Sequence, residues 1–181
     1  FIKTNIAIGE PLKESDLDRA VLLMNDIPEV SVRGTMKPGD HQGETRIRFV
    51  ADEGPLFNGL AWIDNFGSES SGINQLNAQL KLNNPSGKGD QATLSLVHNK
   101  GTDTATLGYN LPVNGNGTRL SLSYADMDYE VITTAGISSG LKGTSRTKTI
   151  GLSHPIKRAR MENVRISAGY SDQESKDDST L

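Results

Sequence analysis

From about Pro55 to the end, apolar and polar residues alternate with a period of two, the signature of strands with one oily and one wet face. Seven stretches carry the pattern. LFNGLAWIDNFG opens the series. INQLNAQLKLNN sets Leu76, Ala78, Leu80 and Leu82 against Asn77, Gln79, Lys81 and Asn83. QATLSLVHN sets Ala92, Leu94 and Leu96 against Thr93, Ser95 and Val97. ATLGYNLPV, TRLSLSY, TIGLSHPI and VRISAGY continue it, each with apolar or aromatic residues at alternate positions. The connections PSGKGD, NGNG and RARMEN are short and turn-like. Between them fall SESSG, the short KGTD and the long run ITTAGISSGLKGTSR. Short turns at one end and more variable loops at the other, joining strands of about nine to twelve residues, fit an antiparallel meander that crosses a bilayer.

The first fifty residues follow a different rule. Leu17, Ala20, Val21 and Met24 recur at helical spacing, with Ser15 as the expected N-cap, Asp18 completing a weak capping box, and Asn25-Asp26-Ile27-Pro28 as the stop. A strand follows over Ser31 to Met36, a turn over KPGDHQGE, and a return strand TRIRFVADE. In the return strand Ile47 and Phe49 share one face, Arg46 and Arg48 the other. Helix, strand, strand is too small a unit to stand alone comfortably. FIKTNIAIG reads as the tail of something, and a start without Met as a processed or excised piece.

One stretch breaks the alternation. In SYADMDYEV, strict period two places Asp126 and Asp128 on the face of Leu120, Leu122 and Tyr124. Either a bulge near Ala125 restores the phase, or the strand leaves the bilayer after Tyr124. Both remain open on the pattern alone.

Composition narrows the classes. Apolar residues are only 34% of the 181, which is low for a packed globular core but ordinary for membrane strands, where alternate positions suffice. The 19 basic and 22 acidic side chains nearly balance, giving no reason to expect nucleic acid. With no cysteine, a disulfide scaffold and a thiolate metal site are excluded. A soluble β-sandwich also alternates, but its inner face is normally richer in Val, Ile, Phe and Trp. An open seven-stranded sheet cannot sit in lipid, because its edges leave backbone groups unpaired. On the membrane reading the chain is therefore a fragment.

Catalytic and metal chemistry is not expected, nor is a cofactor. His41, His98 and His154 have no metal-ligand spacing and read as surface or interfacial residues. Asp64, Asp126 and Asp128 lack the third partner and pocket that acid–base work needs. GKGD at 87–90 has no phosphate-loop frame, and Asn116-Gly117-Thr118 reads as a turn. The basic KRARMENVR meets lipid phosphate or is simply solvated.

The stretch LLMNDIPEVSVRGTMKPGDHQGETRIRFV, 22–50, resembles a passage of the hemolysin secretion/activation transporters, the outer-membrane partners of two-partner secretion. Leu22, Leu23, Asn25, Asp26, Pro28, Pro38, Gly39, Gly43 and Thr45 carry the likeness. Asp64-Asn65-Phe66-Gly67-Ser68, Gly72, Asn84-Pro85, Gly87, Gly89, Asp90 and SHPIKRARMEN extend it. The helix end departs from the family's Pro-Gly-Val, with Pro28-Glu29-Val30 here.

The resemblance implies an α+β POTRA-like portion, residues 1–53, followed over 54–181 by an antiparallel transmembrane β-barrel portion, about seven strands of a sixteen-strand barrel. It implies a bacterial outer-membrane protein with its N-terminal part in the periplasm. The POTRA unit would capture an unfolded secreted partner (an exoprotein, adhesin or hemolysin-like protein), and the barrel would conduct it outward among outer-membrane lipid. An exposed strand edge pairs with extended chain at little sequence cost. The candidate substrate-binding residues are Val32, Arg33, Thr35, Arg46, Arg48 and Val50. Asn77, Gln79, Lys81, Thr93 and Ser95 are candidates for the lumen wall. The alternatives are an outer-membrane assembly and insertion factor of the same superfamily, or a soluble all-β adhesin or binding domain.

Overall fold

The structure, a computed structural model, describes residues 1–7, 9–133 and 140–178. A single helical turn, α1 (Ile2–Asn5), leads to helix α2 (Glu14–Asn25). The helix begins two residues earlier than expected. Its N-cap is Lys13, which makes no side-chain capping bond, and the Ser15 hydroxyl instead turns to the carboxylate of Asp16. Glu14 and Asp16 in the first turn offset the missing cap through the helix dipole. The stop lies where the sequence places it. Asn25 closes the helix and fastens it to the next element, donating to the Val21 and Val32 carbonyls and accepting from the Val32 N–H at 2.8 Å.

Strands β1 (Val30–Pro38) and β2 (Thr45–Glu53) form an antiparallel hairpin in unbroken register. One face packs on α2, where Gly34 brings the strand close to Val21 and Phe49. Ala20, Leu23, Met24 and Val32 are the only buried hydrophobic side chains among the described residues. The rest of the described residues therefore form no hydrophobic core of their own.

That remainder is a seven-stranded antiparallel meander in sequence order: β3 (Phe57–Asp64), β4 (Gln75–Asn83), β5 (Gln91–Asn99), β6 (Thr102–Pro112), β7 (Arg119–Glu130), β8 (Lys142–Arg158) and β9 (Asn163–Asp178). No second sheet covers it among the described residues, so the sandwich arrangement is not the fold. Short turns at 84–90, 113–118 and 159–162 gather at the end nearer α2, here the proximal end. Connections 65–74 and 100–101 lie at the distal end, where β7 ends and β8 begins.

Two strands outrun the sequence pattern. β8 has 17 residues and β9 has 16, because their distal halves are polar on both faces and carry no apolar alternation to read. Of the long run 132–146, residues 134–139 lie outside the described residues, and 142–146 already belong to β8. The question posed by SYADMDYEV has a plain answer. β7 runs to Glu130 in continuous register with both neighbours, without a bulge, and Asp126 and Asp128 stay on the face of Leu122 and Tyr124. The register shift in this sheet falls elsewhere, between Pro155 and Lys157.

Candidate functional site

Each strand of the meander sends alternate side chains to opposite faces, and the register aligns them into rows across the sheet. On the outward face, one row reads Phe57, Leu82, Ala92, Tyr109, Leu122, Ile150, Tyr170, apolar or aromatic throughout. The next row toward the distal end reads Gly59, Leu80, Leu94, Leu107, Tyr124 and then turns charged at Lys148 and Asp172. The third reads Ala61, Ala78, Leu96, Ala105 and turns charged one strand sooner, at Asp126, Arg146 and Glu174. The fourth is apolar only at Ile63 and Leu76; His98, Asp103, Asp128, Thr144 and Lys176 follow. The side chains of this face stand in the open, Leu80 at 56% exposure and Tyr170 at 69%.

The apolar-to-polar boundary thus crosses the sheet obliquely. Between the fourth row and the second it moves two rows along the strands, about 13 Å, while crossing three strands, about 14 Å. Its inclination to the rows is therefore about 40°. A barrel tilts its strands from the axis by about 35–45°, so a flat hydrocarbon surface cuts the rows at that angle. The charged positions that seemed to break the alternation fall on the polar side of this line. Opposite charges meet across strands there, as Arg146 does with Asp126 at 3.5 Å.

The other face is wet. Asn77, Gln79, Lys81, Thr93 and Ser95 all lie on it, through the pairs Gln79 with Ser95 and Lys81 with Thr93. Gln79 donates to the Ser95 hydroxyl at 3.3 Å. Asn77 is 6% exposed and donates to Asp64, whose carboxylate also accepts the Trp62 indole N–H and the Phe66 backbone N–H. Leu60, Trp62 and Val97 share this face, so its β3 end is less polar than the pattern of β4 and β5 implies. The short, interrupted alternation of β3 gives no clear parity, and only its pairing with β4 fixes it.

The hairpin arranges its six candidates unequally. Arg33, Thr35, Arg46, Arg48 and Val50 lie on the face away from α2, through the pairs Arg33 with Val50 and Thr35 with Arg48. Val32 does not join them. It is 6% exposed on the helix side, and its backbone N–H and carbonyl are bonded to Asn25. Adjacent strand residues point oppositely, so Val32 and Arg33 cannot present side chains to the same partner. On the open face Arg33 pairs with Asp52 at 2.9 Å, and Arg46 pairs with Asp40. Arg48 and Lys37 make no ion pair among the described residues, and they leave that face positive.

The sequence gives little sign of how the helix meets the wall. α2 docks on the proximal turns through charge and close packing. Arg158 donates to both Asp26 carboxylate oxygens, at 2.8 and 3.0 Å, with Arg165 at 3.9 Å. Arg160 reaches Asp18 at 2.6 Å, and Arg19 donates to the Pro155 carbonyl at 3.2 Å. The basic run that reads as solvated or lipid-facing thus turns all three of its arginines toward the acidic residues of the helix and its C-cap. Gly117, at φ +87, leaves room for Leu23; a Cβ there would lie 2.4 Å from the Leu23 Cδ2.

The turn Asn84 to Asp90 explains its own motif. Asn84 takes a positive φ and accepts the Gly89 N–H at 2.7 Å. Asp90, 1% exposed, accepts from the Ser86 N–H and hydroxyl and from the Tyr109 hydroxyl. Burial disfavours the Asp90 carboxylate, but the Tyr109 and Ser86 hydrogen bonds outweigh it and hold its pKa below the ordinary value.

A family model described as haemolysin secretion/activation protein ShlB/FhaC/HecB matches residues 43–178. The heme/hemopexin transporter protein HuxB of Haemophilus influenzae is 26% identical over 172 residues, 93% of this chain and 30% of that protein. The outer membrane transporter CdiB of Escherichia coli strain 536 is 29% identical over 160 residues, 83% of this chain and 26% of that protein. The chain thus spans about 30% of the length of these relatives. Among solved structures, CdiB from Escherichia coli superposes with a TM-score of 0.77 at 25% identity, over 94% of this chain and 33% of that one. BamA from Haemophilus ducreyi, at a TM-score of 0.52 and 18% identity over 90% of this chain and 29% of that one, shares the fold. The match to the family model takes in well over half of the chain, and the chain belongs to the haemolysin secretion/activation protein family, ShlB/FhaC/HecB.

Proposed function

We propose that this chain is the junction and leading barrel wall of an outer-membrane transporter that passes a large secreted partner protein to the cell surface. Residues 1–53 serve as the C-terminal part of a periplasmic POTRA domain. Residues 54–181 serve as the first seven strands of a barrel, sixteen in the family expectation. The observation that carries the reading is the oblique boundary on the outward face. A sheet with an apolar band cut at about 40° and a hydrogen-bonding inner face belongs in a bilayer around a wet cavity. On this reading the proximal turns face the periplasm, and the polar ends of β7, β8 and β9 stand above the outer surface.

Transport then divides between the two units. The open hairpin face, with Arg33, Thr35, Arg46, Arg48 and Val50, meets the arriving extended chain. Arg48 supplies unpaired positive charge, and the backbone of the outer strand edge supplies affinity with little sequence demand. Asn77, Gln79, Lys81, Thr93 and Ser95 then give the moving chain exchangeable hydrogen bonds. No nucleotide or cofactor chemistry enters these steps, and folding of the emerging partner outside would bias the direction.

The test uses the intact protein, co-expressed with a candidate partner, a large secreted exoprotein of the adhesin or hemolysin-like class. A photo-crosslinking residue at Arg48 should capture that partner in transit, and deletion of the transporter should abolish surface delivery. Delivery that persists without the transporter contradicts the function. Capture elsewhere, with silence at Arg48, contradicts the assigned hairpin face.

A further inference from the structure

A groove of 620 Å³ lies on the outward face, walled by the side chains of Leu107, Leu122 and Ile150 and flanked by Tyr124 and Tyr170, with Lys148 and Asp172 at its distal rim. Gly108, Ser123 and Thr149, whose side-chain positions belong to the other face, border it with their backbone. The groove straddles the polar boundary: its apolar walls belong to the apolar rows, and its rim holds the first two charges beyond them.

The charges at this rim differ from their neighbours. In the next row Arg146 pairs with Asp126, and at the far end Lys176 pairs with Glu174. Lys148 and Asp172 face each other in register, yet among the described residues neither makes an ion pair or a side-chain hydrogen bond. Both are exposed. An unpaired ammonium and an unpaired carboxylate above an apolar slot, between two tyrosines, can satisfy a ligand with three parts. An acyl chain fills the slot, a phosphate takes the ammonium, and a hydroxyl donates to the carboxylate. Tyrosines at this level are ordinary interface anchors, and a lysine there extends its ammonium to the headgroup layer.

We infer that this groove binds one phosphorylated glycolipid of the outer leaflet, its acyl chain along Leu107, Leu122 and Ile150, its phosphate on Lys148 and a sugar hydroxyl on Asp172. The inference rests on the membrane orientation proposed above. The carboxylate is what selects a sugar headgroup over a simple phospholipid, since it repels a phosphate that brings no hydroxyl to offset it. A lysine serves phosphate as a point charge and asks for no fixed geometry, which suits a mobile lipid.

The experiment places the intact protein and its variants in phosphatidylcholine nanodiscs doped with lipid A, dephosphorylated lipid A or phosphatidylmethanol, whose phosphate brings no hydroxyl, and reads bound lipid by native mass spectrometry. The native protein should retain lipid A above both comparison lipids. Lys148→Gln should lower lipid A occupancy about tenfold, a loss of roughly 1.4 kcal/mol. Lys148→Arg should restore it, and Leu122→Trp, which fills the slot without touching the charges, should lower it too. Unchanged occupancy in Lys148→Gln and Leu122→Trp overturns the site, and equal retention of phosphatidylmethanol overturns the glycolipid assignment. Liposome flotation of each variant separates the two levels: protein that inserts but ignores Lys148 contradicts the site, whereas protein that fails to float contradicts the membrane reading beneath it.

Discussion

Glu29 shows how a side chain is carried where the backbone favours glycine. The residue sits at φ +56, in the left-handed region where glycine is at ease and a side chain costs about 1 kcal/mol. Its backbone carbonyl accepts the Gly54 N–H at 2.7 Å, and its carboxylate accepts from Asn58 at 3.1 Å, so the turn is fixed from both sides. Glu29→Gly should therefore raise the stability of the intact protein by about 0.5–1 kcal/mol, the loss of one exposed hydrogen bond being small. Denaturant unfolding in detergent checks this. Asp90 makes a prediction of opposite kind. Its folded-state pKa lies below its ordinary 3.8, so its stabilising contribution is fully present above about pH 4. That contribution is lost as pH falls through the depressed value. Asp90→Asn should remove this acid-side dependence and cost about 1–3 kcal/mol near neutrality, because the Ser86 and Tyr109 donors lose a charged acceptor. Thermal unfolding followed from neutral to acid pH reads both effects.

At the scale of elements, helix α2 is held to the wall by polar groups at its end and by close packing along its side. Asp26 and Arg158 are both about three-quarters buried and form a two-bond pair. Asp26→Asn should weaken the docking by about 1.5–3 kcal/mol, the range for hydrogen bonds to charged groups. A double-mutant cycle with Arg158→Gln should show the two losses sharing most of that energy. Gly117→Ala tests the packing half: its new methyl would meet Leu23, so protease cleavage near α2 should speed up while the strands stay protected. A cleavage rate unchanged in both variants contradicts a docked helix. The helix, the hairpin and six of the seven strands were legible from their own period, whereas the parity of β3 is fixed only by its pairing with β4. The junction was not. Arg158 and Asp26 are 132 residues apart, and a basic run beside a turn looks the same whether it meets water, lipid or a helix. The Ser15 cap was misread for a local reason, since a good capping residue one position inside the helix is indistinguishable by composition from one at its start.

For the whole molecule, the decisive feature is visible only when register is added to alternation. Asp126 and Asp128 look like errors in a single strand. Set beside Leu107, Lys148 and Arg146, they mark where the wall leaves the oil, and the mark slides by strands as it climbs by rows. Sequence alone could establish which residues alternate, but it could not establish which of them stand side by side. Nor could it find the distal halves of β8 and β9, where both faces are wet. The central claim is a tilted, two-faced wall in a bilayer. Its most direct test is spin labelling of the intact protein in lipid vesicles, comparing collisions with oxygen, which partitions into hydrocarbon, and with a water-soluble nickel complex. Labels at Leu96 and Ala105 should report hydrocarbon, and at Arg146 and Glu174 water. One row lower, Leu94 and Leu107 should report hydrocarbon and Asp172 water, while Ile150 in the row beneath remains in hydrocarbon. Gln79 should report water at the same depth at which Leu80 reports lipid. A crossover at the same strand in every row, or water at Leu80, Leu94 and Leu107, would contradict the account.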